Sequence, residues 1–100
     1  MKDILARTVE ALRRRVPLTA VYLFGSYAQG CADEDSDIDV AVFSPAVEGM
    51  DLEHRVETSA DVQAEVDAEV EIHLFPAAAL GEARPSNIYG LILETGERVA

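Results

Sequence analysis

Two aspartates stand two positions apart in the segment Asp37-Ile38-Asp39, which opens an alternating run over residues 37–43. Alternation of apolar and polar residues predicts a half-buried strand, and side chains i and i+2 of a strand point to the same side, about 6.7 Å apart. Both carboxylates should therefore face one pocket, where they could bridge two Mg²⁺ ions about 3.5–4 Å apart. An isolated Asp-x-Asp pair is more often solvated, so neighbouring segments must support this interpretation.

A second segment suited to chemistry follows the predicted strand at residues 19–24. Gly25 permits a tight turn, and a helix that starts at Ser26 would present free backbone N–H groups to phosphate oxygens. On its own a Gly-Ser turn is a weak signal, and a purely structural turn would be the better interpretation.

A third carboxylate lies on the strand predicted over residues 70–75, where Glu71 and His73 alternate with apolar residues. An isolated Glu on a polar strand face is usually solvated, but a pocket that holds two other carboxylates makes Glu71 a candidate ligand. For His73 the sequence favours an exposed strand histidine without catalytic duty.

Other metal sites are disfavoured. Asp33, Asp35 and Asp37 occupy the first, third and fifth places of an EF-hand-like run, but Ile38 replaces its glycine and Ser44 its bidentate Glu. Cys31 makes no zinc-ligand spacing with the two histidines. Since Cys31 is the single cysteine, no intrachain disulfide can form, which favours a cytoplasmic protein.

The net charge of −11 is concentrated in residues 31–75, whose net charge is −13. This segment should repel nucleic-acid backbones, so direct nucleic-acid binding is not expected. Bound metal ions would offset the same repulsion toward a nucleoside triphosphate. No apolar run approaches the roughly 20 residues that span a bilayer, and 100 residues fit a single domain, 1–100.

The elements that must position these residues follow the order α-β-α-β-α-β-α. Apolar spacing predicts a first helix over residues 3–15, and a further helix over 51–66 separates the second and third strands. The arginines that end the first helix suit its dipole and indicate structural support more than an acidic partner. A last short helix would be capped by Ser86 and ended by Gly96.

Gly25-Ser26, Gly30 and Ser36-Asp37-Ile38-Asp39, followed by an apolar strand, together resemble the signature of the DNA polymerase beta-like nucleotidyltransferase superfamily, and the short chain resembles its minimal nucleotidyltransferase branch. The resemblance is specific over residues 20–43. It implies an α+β, two-layer fold, in which a small mixed β-sheet carries helices on one face. It also places Glu71 where the family usually has a third metal-binding Asp.

This resemblance implies transfer of a nucleoside monophosphate, AMP from ATP, to an acceptor hydroxyl. Asp37 and Asp39 would bind two Mg²⁺ ions, with Mn²⁺ as the alternative, and Glu71 would ligate one metal and help deprotonate the acceptor. Gly25 and Ser26 would hold the β- and γ-phosphates.

Two further positions bear on nucleotide binding in this resemblance. Ser36 would either cap its turn or touch phosphate. Gln29 stands where minimal nucleotidyltransferases commonly have Arg, so one positive charge near the phosphates is missing.

Minimal nucleotidyltransferases often act as antitoxins that adenylylate a helical toxin, so the resemblance implies such a partner protein. Two alternatives stay open. The chain could be a catalytically weak antitoxin or binding module that only masks its partner, which Gln29 and Glu71 favour. It could also be a small-molecule adenylyltransferase, which is disfavoured because no acceptor-binding domain follows.

Overall fold

The computed structural model describes residues 2–24, 38–66 and 70–100. In these ranges the chain forms three α-helices and four β-strands, joined in part by short 3₁₀ segments. In chain order the elements are α1 (Lys2–Arg13), β1 (Ala20–Phe24), β2 (Ile38–Ser44), a 3₁₀ segment (Pro45–Gly49), α2 (Leu52–Val66), β3 (Val70–Pro76), a second 3₁₀ segment (Ala77–Glu82), α3 (Ile88–Thr95) and β4 (Glu97–Arg98).

The four strands form one mixed sheet in the order β3-β2-β1-β4. β2 pairs antiparallel with β1 and parallel with β3, and β4 adds antiparallel to the outer side of β1. Six of the seven residues of β2 are buried, and Asp39 is the exception. The fold is therefore α+β with a small mixed sheet and helices, as the sequence predicted.

Helices α1 and α2 cover one face of the sheet. Their apolar stripes pack on the inward residues of the strands because alternate side chains of each strand share that face. The buried cluster between the helices and the sheet includes Leu12, Val21, Leu23, Val40, Val42, Val62, Val66, Ile72 and Leu74.

Arg7 of α1, together with Arg14 and Arg15 just beyond its end, links the two helices. Arg7 donates to the carbonyl of Val66 at 3.0 Å, where α2 ends, and Arg14 and Arg15 both form ion pairs with Glu65. The hydrogen bond from Arg14, together with the charge of both arginines, lowers the pKa of the Glu65 carboxyl below its ordinary value. These contacts agree with the structural role that the sequence indicated for the arginines, although the helix ends at Arg13 and not at residue 15 as predicted.

Helix α3 packs on the opposite face of the sheet, in a second cluster that contains Phe43 and Ile92. The expectation that all helices lie on one face is therefore wrong for α3, because the alternate residues of β2 on that face are also apolar and need cover. Its N-cap is Asn87 rather than the predicted Ser86, because the Asn87 Oδ1 accepts from the backbone N–H of Gly90 at 3.0 Å. A Cβ at Gly90 would come within 1.8 Å of the carbonyl oxygen of Arg84, so this close approach requires glycine. Gly96 ends the helix as predicted.

The helix predicted to start at Ser26 lies outside the described residues. The two 3₁₀ segments and β4 have no counterpart in the sequence prediction, since each is too short to show a periodic pattern. Within the described ranges, no helix is long and apolar enough to cross a membrane.

Candidate metal-binding and active site

Asp39 and Glu71 stand directly opposite each other on the parallel strands β2 and β3, since their Cα atoms are register partners. Neighbouring residues in register project from the same face of a sheet. This is the face that carries α3, and both residues lie near the start of their strands. One oxygen of each carboxylate lies within 4.8 Å of the other.

Asp39 is enclosed more than Glu71. The Asp39 side chain is 24% exposed, whereas Glu71 is an exposed residue on the outer strand. On its other side Asp39 has Phe24 of β1 as its register partner, so the carboxylate lies between an aromatic ring and a second carboxylate. Two carboxylates so close repel each other, and a bound cation would remove this repulsion.

His73 lies beside the two carboxylates. Its Nε2 atom lies 3.4 Å from Oδ1 of Asp39, and one donor atom from each of Asp39, Glu71 and His73 lies within 4.8 Å of the others. The sequence predicted that His73 shares the polar face of β3 with Glu71 and favoured a histidine without catalytic duty. Its spacing of two residues from Glu71 is the signal that could have indicated the proximity.

The three donors fit a divalent cation. Ligands about 2.1 Å from an ion are at most about 4.2 Å apart, so these side chains need to move only slightly to bind one ion together. Carboxylate oxygens are ligands that Mg²⁺ and Mn²⁺ accept, and the imidazole adds a nitrogen donor.

The other predicted site residues, Gly25, Ser26, Gln29, Ser36 and Asp37, lie outside the described residues. The structure thus brings together Asp39 and Glu71 and adds His73. The roles assigned to all of the predicted residues stay predictions.

Comparison with known proteins gives these positions a family context. Residues 5–89 match the model of the nucleotidyltransferase domain family. A curated relative, the protein adenylyltransferase MntA of Shewanella oneidensis, is 36% identical over 67 residues, which cover 66% of this chain. The chain spans about half the length of that relative, since the match covers 47% of it.

Solved structures agree with this fold. A crystal structure of a toxin–antitoxin with AMP-PNP is similar at a TM-score of 0.64 and 28% identity, covering 93% of this chain and 69% of that chain. A structure described as a minimal nucleotidyltransferase has a TM-score of 0.62 and 24% identity, covering 99% of this chain and 93% of the other. Since the family model matches most of the sequence and the sheet that carries Asp39 and Glu71 has the same architecture, the chain belongs to the nucleotidyltransferase domain family.

Proposed function

We propose that this protein is a metal-dependent nucleotidyltransferase that transfers AMP from ATP to a hydroxyl group on a partner protein. The observation that carries the proposal is the register of β2 and β3, which sets the carboxylates of Asp39 and Glu71 side by side on one face. A family match over residues 5–89 supports a nucleotidyl donor.

In the reaction, the acceptor hydroxyl oxygen forms a bond to the α-phosphorus of ATP while the bond to the bridging oxygen breaks and pyrophosphate leaves. Asp37 and Asp39 would hold the divalent ions, and Glu71 would share one of them. When bound, the ions would neutralise charge on the phosphates and would lower the pKa of the attacking hydroxyl. Glu71 is exposed at the rim of the site, where its carboxylate can accept the proton of the acceptor.

The phosphate contacts would come from the turn that follows β1. Gly25 and Ser26 would present backbone N–H groups to the β- and γ-phosphates, and Ser36 would cap the turn or touch phosphate. Gln29 supplies no positive charge there, so we expect nucleotide affinity to depend more on the metal ions than in relatives with Arg.

A partner protein is the proposed acceptor because the relative MntA is named a protein adenylyltransferase, and the similar structure with AMP-PNP is a toxin–antitoxin. We therefore propose a helical toxin as the partner. A second candidate is a binding module that masks the same partner without modifying it. Glu71 in place of Asp and Gln29 in place of Arg favour that candidate.

Transfer can be tested by incubating the protein with Mg²⁺ and the product of its neighbouring gene, using ATP labelled at the α-phosphate and, separately, at the γ-phosphate. The partner should become labelled with α-labelled ATP but not with γ-labelled ATP, and Asp39→Asn should abolish this labelling. Asp61→Asn, an exposed change elsewhere in the acidic segment, should not.

A tight complex that stays unlabelled would support the masking module. Label recovered on an added small-molecule alcohol, such as an aminoglycoside, with none on the protein would support the small-molecule alternative.

A further inference from the structure

His73 is directed at the metal site by its place in the sheet. It follows Glu71 by two residues on β3, pairs in register with Ala41, and therefore lies diagonally across from Asp39 on the same face. Its side chain is 33% exposed, and its Nε2 atom is the part that approaches Asp39 Oδ1.

Two aromatic rings lie beside the imidazole. Phe75 stacks on it with a centroid separation of 6.4 Å and an interplanar angle of 15°, and Phe24 packs edge-on at 5.2 Å and 63°. The rings restrict the rotation of the His73 side chain. A ligand held in this way loses little conformational entropy when it binds an ion.

The distance from Nε2 to Asp39 Oδ1 is long for a direct hydrogen bond and lies within reach of two ligands of one ion. Such hydrogen bonds are usually about 2.7–3.2 Å long, whereas the two atoms are 3.4 Å apart. Two ligands about 2.1 Å from an ion are about 3.0 Å apart at adjacent octahedral positions and about 3.4 Å apart in a tetrahedron.

We propose that His73 is a nitrogen ligand that joins Asp39 and Glu71 in a mixed site, so that the protein binds first-row transition ions in preference to Mg²⁺. Imidazole suits Co²⁺, Zn²⁺ and their neighbours, whereas Mg²⁺ prefers oxygen ligands in a strict octahedron. The inference rests on the metal-dependent function proposed above. It names the ion class that the same site takes.

The test compares calorimetric titrations of Co²⁺ and of Mg²⁺ into the wild-type protein, His73→Gln and His54→Gln. His73→Gln should weaken Co²⁺ binding by about tenfold or more and Mg²⁺ binding by less than about threefold. His54→Gln is the matched control because His54 is exposed on α2 and lies outside the cluster, so it should change neither affinity. Equal losses of both ions in His73→Gln would overturn the proposal.

A spectroscopic measurement decides the question even where His73→Gln fails to fold. The chain has two histidines, so a directly bound imidazole nitrogen seen by pulsed electron paramagnetic resonance of Mn²⁺ in His54→Gln must belong to His73. Absence of nitrogen coupling in Mn²⁺-loaded wild-type protein would also overturn the proposal.

These results separate the inference from the proposed function. AMP transfer with an unchanged ratio of Co²⁺ to Mg²⁺ affinity in His73→Gln would refute the nitrogen ligand alone. Nitrogen ligation without label on the partner would refute the transfer function alone.

Discussion

Replacement of Asp39 by Asn should stabilise the metal-free protein, although it should abolish the proposed transfer. An oxygen of Asp39 and one of Glu71 lie within 4.8 Å. Coulomb's law gives about 0.9 kcal/mol of repulsion for two charges at that distance in water and about 3.5 kcal/mol at an effective dielectric constant of about 20. Glu71 is exposed and the Asp39 side chain is 24% exposed, so the repulsion in water applies, about 1 kcal/mol.

Thermal unfolding of Asp39→Asn and the wild type, at low ionic strength and with a chelator, measures this gain in stability. For a domain of this size, about 1 kcal/mol raises the melting temperature by roughly 4–8 °C. Asp61→Asn is the control, because it removes one charge from the same acidic segment without touching the site. About 1 M salt should erase the difference, since the Debye length then falls to about 3 Å.

Adding metal should make the wild-type protein more stable than Asp39→Asn. Mg²⁺ or Mn²⁺ with ATP should stabilise the wild-type protein by about 2.7 kcal/mol at one hundred times the dissociation constant, and should leave Asp39→Asn nearly unchanged. An Asp39→Asn variant no more stable than Asp61→Asn without metal would refute the repulsion between Asp39 and Glu71. An equal response of wild type and Asp39→Asn to metal would refute the site itself.

Three further predictions concern the fold. Asn87→Ala should lower the free energy of unfolding by about 1–2 kcal/mol in urea titration, because it removes the cap of α3, whereas an equal loss in Ser86→Ala would contradict the assignment of the cap. Phe43→Ala should cost about 3–5 kcal/mol by the same measurement, since its ring is fully buried, and a loss below about 1 kcal/mol would contradict its place in the core. Glu65→Gln should melt below the wild type at neutral pH. Because hydrogen bonding from Arg14 lowers the pKa of Glu65 below 4.5, the difference should disappear as pH falls through that lowered pKa, and a difference that persists in acid would contradict the ion pair.

Local patterns in the sequence predicted much of what places the site. The alternation in residues 37–43 and 70–75 put Asp39 and Glu71 on the polar faces of two strands, and the strands lie where expected. The apolar spacing of residues 3–15 and 51–66 likewise predicted α1 and α2. These patterns are local because a strand repeats every two residues and a helix every 3.6, so a short segment reveals which of its side chains are buried.

The tertiary structure decided how those segments meet. Periodicity assigns a face to each strand, but it does not say that β2 pairs parallel with β3, or that Asp39 aligns with Glu71 and not with a residue two positions away. Two other features depend on the same packing. The approach of His73 to Asp39 depends on that register, and β4 is a strand only because β1 leaves an edge beside it. Sequence alone therefore determined which side chains share a polar face, whereas the pairing of strands, which depends on contacts between residues far apart in the chain, decided which of them form one site.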